Sequence, residues 1–239
     1  MPPNGYNAPP GSMLSASGLV ILDFDGVIAD SLAEHRTAYT RIFEAFGKPV
    51  PFSDFRLWYD SQWENNWLKG GFLPEQLPMV VQSYFQHVNY DRVFPFPEIK
   101  DQLTAIRSKY RTAIASTSPQ YMIAPFLERH GLDRHIERIY TFQGGSSKKE
   151  LIESAMRDFG TVPSHTVMAG DTSADIRPAK ELGCLTAGIC YGWYAPERIE
   201  LEAPQVLIRS PAELAAKISI VLREILEQSS KKYINSDTP

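Results

Sequence analysis

Two aspartates stand two residues apart in Asp23-Phe24-Asp25-Gly26-Val27, directly after the apolar run Leu19-Val20-Ile21-Leu22. Such a run reads as a buried strand and places both carboxylates at its carboxyl end, where open α/β sheets bind ligands. Alternate residues share a face, and like charges there repel. Both are costly without hydrogen bonds or a cation, and a divalent metal would resolve the conflict. Gly26, lacking a Cβ, lets the chain turn sharply and bring backbone groups near a ligand. Alone, the pair reads equally well as a polar loop at a strand end. Three later segments add to it. Ser116-Thr117-Ser118-Pro119 follows a second apolar run, where hydroxyls and helix-start N–H groups can hold an anion. Lys148 opens a helix after Gly144-Gly145-Ser146-Ser147, a flexible stretch; a lone lysine there is usually a solvated charge. Gly170-Asp171-Thr172-Ser173-Ala174-Asp175 follows another apolar run with two further carboxylates, of which Asp175 also suits a helix-start acid favoured by the dipole.

The elements that must position these residues alternate. Leu19 to Phe24, Thr112 to Ala115, Arg138 to Phe142, Thr166 to Ala169, Leu185 to Ile189 and Gln205 to Ile208 read as strands separated mostly by amphipathic segments. That pattern implies an α/β fold, a doubly wound parallel sheet covered by helices on both faces. Between Phe24 and Thr112 no buried-strand run occurs, which reads as a small all-helical domain inserted after the first strand. Its first helix opens on Ser31-Leu32-Ala33-Glu34, a capping-box pattern, and stops near Gly47 and Pro49. A second spans Ser53 to Lys69, and a third starts near Leu77 because Pro78 disfavours an earlier regular start. Pro97 suits the first turn of the next helix. The expected organisation is therefore a core of residues 18–30 and 96–228, a helical cap of residues 31–95, and disordered tails at 1–17 and 229–239.

Composition narrows the class. The chain has 239 residues, 43% hydrophobic and 22% charged, ordinary globular usage that disfavours disordered and fibrous classes. Lys plus Arg number 24 against 28 Asp plus Glu, for a formal charge of -4 without a long basic run, so neither nucleic acid nor a membrane is expected as partner. Leu19 to Leu22 falls far short of the ~20 residues that span a bilayer, and no export leader is visible. Cys184 and Cys190 lack a nearby histidine, which disfavours a zinc site or disulfide framework and suits a reduced, cytoplasmic protein.

Taken together and in this order, the four motifs resemble the haloacid dehalogenase superfamily, in its phosphoglycolate phosphatase and β-phosphoglucomutase-like branch with a helical cap. The resemblance implies a Rossmann-like core over about residues 19–227 and a Mg2+-dependent phosphatase acting on a small phosphorylated metabolite through an aspartyl-phosphate. Position by position, it makes Asp23 the nucleophile, Asp25 the general acid and base, Ser116 with Thr117 the phosphate-binding residues, and Lys148 the motif's cation. Lys148 is preferred to Lys149 because Lys148-Lys149-Glu150-Leu151-Ile152 matches the family's Lys-x-Glu-Leu-Ile. Asp23, Asp25 through its main-chain carbonyl, and Asp171 would hold Mg2+, with Asp175 supporting.

Fold alone leaves other reactions open. Asp25 and the Asp171/Asp175 pair argue against a dehalogenase. A phosphonate hydrolase needs a cap lysine, for which Lys48 and Lys69 are the candidates. A sugar phosphomutase is the main enzymatic alternative, since His35 occurs at a comparable place in those enzymes. His35 could contact substrate, sense cap closure or be a half-exposed structural histidine. The segment Gly188 to Glu197 resembles phosphoglycolate phosphatase-like proteins and favours hydrolysis. A non-catalytic phosphate-ligand-binding protein is the alternative of another class, disfavoured because every motif is filled. In the cap, Phe52, Phe55, Trp58, Tyr59, Trp63, Trp67 and Phe72 cluster. They read first as a small domain's core and second as a wall for an apolar or ring-bearing leaving group, Trp63 being the candidate. Arg56 and Lys69 are the candidates for a second anionic group.

Overall fold

The computed structural model describes residues 18–142 and 147–223. The expected tails, core residues 224–228 and the stretch Gly144 to Ser146 lie outside the described residues. Six strands, β1 (Leu19–Leu22), β4 (Arg111–Ser116), β5 (Arg138–Thr141), β6 (Thr166–Gly170), β7 (Leu185–Ile189) and β8 (Val206–Ile208), pair in parallel in the order β5-β4-β1-β6-β7-β8. The chain builds outward from β1 on one side and then the other, so β1 lies at the point where strand order reverses.

Alternate residues of β1 feed two apolar layers. Val20 and Leu22 pack with Ile99, Leu103 and Ile106 of α5 (Ile99–Arg107), Ile123 and Phe126 of α6 (Gln120–His130), and Leu214 and Ile218 of helical residues 214–223. Leu19 and Ile21 pack with Leu151, Ile152 and Ala155 of α7 (Lys148–Phe159) and Ala179 of α8 (Ser173–Glu181). The expected doubly wound sheet is therefore present. Strand bounds agree with the sequence reading within two residues, with β1 ending early because the chain turns after Asp23, where the Phe24 carbonyl accepts from Ile28 N and Ala29 N.

The insertion holds α1 (Leu32–Ala45), α2 (Phe55–Trp58), α3 (Trp63–Lys69) and α4 (Leu77–His87). Four local expectations are corrected. The single helix from Ser53 to Lys69 is two helices: the buried Asn66 side chain accepts from Asp60 N at 2.7 Å and donates to Asp60 O at 2.7 Å, which stabilises a turn between them. Ser31 makes no side-chain cap, and Glu34 accepts instead from Asn89 N at 3.0 Å. Pro97 precedes α5, whose N-cap is Glu98 in the left-handed region at φ 64°. The insertion is not purely helical at its base, because β2 (Ala29–Asp30) and β3 (Phe94–Pro95) form a short antiparallel ribbon where the chain leaves and re-enters the core. No helix among the described residues is long and apolar enough to cross a membrane. The last helix before β8 is α9 (Pro196–Leu201).

Aromatic rings make the core of the insertion. Trp67, 1% exposed, stacks on Tyr39 with ring centroids 4.3 Å apart, and Phe43 and Phe72 pack edge-on or tilted around them. Trp67→Ala should therefore cost about 3–5 kcal/mol in denaturant unfolding. The exposed Leu57→Ala should stay within about 0.5 kcal/mol.

Candidate active site

The carboxyl ends of β1, β4 and β6 and the start of α7 bring the singled-out residues together. The chain passes Asp23, turns at Gly26 with φ 78°, and leaves no room for a side chain there: a Cβ on Gly26 would lie 2.0 Å from Asp171 Oδ2. One on Gly192 would lie 2.3 Å from the same carboxylate. Asp171 is thus packed against bare backbone on two sides, and Asp171 Oδ2 accepts from Trp193 N.

Lys148 is held by its helix start. Ser147 Oγ accepts from Glu150 N while Glu150 reaches back to Ser147 N at 2.6 Å, a reciprocal cap. The buried Lys148 Nζ then lies 3.1 Å from Asp23 Oδ1 and 2.8 Å from Asp175 Oδ1, and donates to the Ala115 carbonyl at 2.9 Å. Lys149 instead pairs at the surface with Glu181. Asp175 spends its other oxygen on Thr172 N and Oγ1 at 3.1 and 2.8 Å.

Asp23, Asp171 and Asp175 each offer an oxygen within 4.8 Å of the others. Asp171 Oδ1 is buried without a hydrogen-bond partner. An orphaned carboxylate oxygen in an all-oxygen cluster suits a hard divalent cation such as Mg2+. Burial, with only part of the cost offset by Lys148 and further raised by Asp175 and Asp25, pushes Asp23 up to about 7. Burial and the charges of Asp175 and Asp23 also push Asp171 well up.

Asp25 stays out of that cluster. Its Oδ2 accepts from Ser118 Oγ at 2.5 Å and its Oδ1 from the Tyr90 hydroxyl at 2.7 Å, with His35 Nε2 at 3.4 Å from Oδ1. Burial works to raise its pKa, but hydrogen bonds and charge from His35, with hydroxyls of Ser118 and Ser31, outweigh it and hold the carboxyl below its usual range. His35 is buried, not half-exposed, and its ring also meets the Tyr84 and Tyr90 hydroxyls.

The remaining candidates divide. Ser116 is buried at the end of β4 and its Oγ accepts from Ser118 N at 3.1 Å, whereas Thr117 and Ser118, just before α6, line the cleft. Trp63 and His35 line it as well. Arg56 does not reach it: its guanidinium donates to the Cys190 and Tyr194 carbonyls at 3.1 and 2.8 Å, joining the insertion to the core. Arg198 returns the contact to the carbonyls of Arg56 and Tyr59. Lys69 donates to the Trp58 carbonyl with Nζ 4.3 Å from that ring's centroid, and Lys48 is spent on the Gly71 carbonyl, so neither enters the cleft. Ser118, Tyr84, Tyr90 and Trp193 were not singled out by sequence reasoning. Ser118 had a signal in the hydroxyl run it shares with Ser116, while the tyrosines reach the site only through the return of the insertion.

The family profile described as haloacid dehalogenase-like hydrolase matches residues 20–189. The phosphoglycolate phosphatase of Escherichia coli (strain K12) is 28% identical over 149 residues, 60% of this chain and 59% of that protein. The chain thus spans under two thirds of that relative's length. The phosphoglycolate phosphatase of Synechococcus elongatus is 22% identical over 211 residues, covering 86% of this chain and 99% of that one. Among solved structures, a haloacid dehalogenase-like hydrolase from Streptococcus pneumoniae superposes with a TM-score of 0.76 at 22% identity, over 85% of this chain and 99% of the other. A haloacid dehalogenase-like protein of unknown function from Agrobacterium tumefaciens gives 0.71 at 19% identity, over 85% and 98%. At these identities the superpositions establish the fold.

The crowded carboxylates give a pH signature. With Asp23 raised from 3.8 to about 7, the folded protein keeps a proton that the unfolded chain releases, so metal-free stability falls as pH rises through that window. Melting in EDTA should therefore show a lower Tm at about pH 7.5 than at about pH 5, and Mg2+ should raise Tm more at the higher pH. Asp23→Asn should flatten the metal-free slope.

Proposed function

Because the chain belongs to the haloacid dehalogenase-like hydrolase family, we propose that it is a Mg2+-dependent phosphatase that hydrolyses a small phosphorylated metabolite through an aspartyl-phosphate on Asp23. The observation that carries the reading is the division of four aspartates into two environments: three crowd together, two of them on Lys148 and the third, Asp171, with an orphaned oxygen, and Asp25 is held apart by neutral hydroxyls and His35. The relatives named phosphoglycolate phosphatase support the same chemistry.

Asp23 is the nucleophile, facing the cleft from the end of β1. Lys148 keeps that carboxylate oriented and offsets its charge. Thr117 and the N-terminus of α6 receive the phosphoryl oxygens, with Ser116 fixing that turn through Ser118 N. Bound Mg2+, held by Asp23, Asp171 and the Asp25 main-chain carbonyl with Asp175 behind them, would neutralise phosphoryl charge as it builds. Asp25 handles protons. A dianionic phosphate beside it works against its depressed pKa, because like charge favours the protonated form. Asp25 then gives a proton to the leaving oxygen and takes one from the water that opens the acyl phosphate.

Residues 31–95 act as the cap, closed here by the Arg56 and Arg198 contacts and by Ser61 Oγ against Ser173 Oγ at 2.9 Å. Water exclusion is what such closure supplies. The two buried free thiols suit a reducing compartment, and we assign the enzyme to the cytoplasm.

Asp23→Asn should fold normally and lose at least about a thousandfold in kcat on an aryl phosphate, since the amide keeps the shape but cannot form the acyl phosphate. EDTA should abolish wild-type turnover and Mg2+ restore it. Near-wild-type turnover by the Asn variant would move the nucleophile elsewhere.

A further inference from the structure

Resting on the phosphatase reading, we infer that the substrate's leaving group is uncharged and ring-bearing, seated against the aromatic wall of the insertion. The cleft, about 310 Å3, has two unlike halves. One is the aspartate-rich end of the sheet. The other is lined by Tyr39, Tyr59, Trp63, Val81, Tyr84 and Phe85, drawn from α1, α3, α4 and the turn after α2. A volume at the small end of ligand pockets suits a phosphoryl group and about one ring.

Charge points the same way. Among the described residues, Lys148 is the only lysine or arginine lining the cleft, and its ammonium is engaged by Asp23, Asp175 and the Ala115 carbonyl. Arg56, Lys69 and Lys48, the cations of the insertion best placed by sequence, are turned to backbone carbonyls elsewhere. A second anionic group on the leaving side would lose its water against rings, and among the described lining residues the one other side chain able to carry positive charge, His35, already faces Asp25. It would also approach Asp25 and Asp171. A neutral ring instead gains face and edge contacts, while the Tyr59 phenol, kept un-ionised by burial, remains for a neutral polar group on it.

A matched pair of esters isolates the claim. Benzyl phosphate and its para-carboxylate derivative share a ring and a similar alkoxide, differing by one negative charge. With wild-type enzyme and Mg2+, kcat/KM for benzyl phosphate should exceed that for the carboxylated ester, and that for phosphoglycolate, by at least about tenfold. Trp63→Ala should lower kcat/KM for benzyl phosphate about tenfold more than for ethyl phosphate, whereas a purely structural tryptophan would lower both alike. Equal or better turnover of the carboxylated ester or of phosphoglycolate overturns the inference and leaves the phosphatase reading standing. Hydrolysis of none of these esters brings down both.

Discussion

Three buried carboxylates crowded together, two of them on a single ammonium, are the constraint on which the rest of the structure depends. Asp23 and Asp171 follow two strand ends, Asp175 sits in the first turn of α8, and Lys148 is the first residue of α7 on the same face of the sheet as α8. Such a cluster is unfavourable in a low-dielectric interior unless its geometry is held. The holding elements are ordinary. The reciprocal Ser147–Glu150 cap sets the start of α7, Thr172 fixes Asp175, and glycines at 26 and 192 let two backbone segments close on Asp171. Each device is local, and each contributes only because the parallel sheet brings the carboxyl ends of β1 and β6 side by side.

Asp25 is two residues from Asp23 and physically separate. Its partners Tyr90 and His35 belong to the inserted segment, while Ser118 belongs to the core. The insertion therefore does more than cover the cleft. Its first helix and its return segment both touch the carboxylate to which we assign the proton transfers, so the position of the insertion and the orientation of Asp25 are linked through His35 and the Tyr90 hydroxyl. Tyr84, on α4, extends the link by its contact with His35 and also packs on Tyr39 in the aromatic core.

Much of this was legible in the sequence because it depends on short-range pattern. Apolar runs mark buried parallel strands, and Gly-Asp or Asp-x-Asp-Gly at their ends marks the ligand edge. What was not legible depends on contacts between distant residues. The helix break at residues 59–62 rests on Asn66 folding back onto Asp60, which helical periodicity cannot reveal. The Ser31 pattern failed as a cap because Glu34 finds a donor in Asn89, 55 residues away. Arg56 looked like an anion binder from its type alone and is instead a clasp between insertion and core. The base ribbon of β2 and β3 is two residues per strand, too short for any alternation to show.

The central claim is that two neighbouring aspartates do different work because their surroundings differ, and rapid mixing of an Asp25→Asn variant tests it most directly. The amide keeps the hydrogen-bonded shape at Asp25 but cannot donate the proton an alkoxide needs, and a nitrophenolate hardly needs one. With p-nitrophenyl phosphate the variant should release a burst of nitrophenol approaching one per active site and then stall as phosphoenzyme. With an alkyl phosphate it should show no burst and little phosphoenzyme. Equal slowing of the first step for both substrates would contradict the account and leave Asp25 as a structural neighbour of the nucleophile.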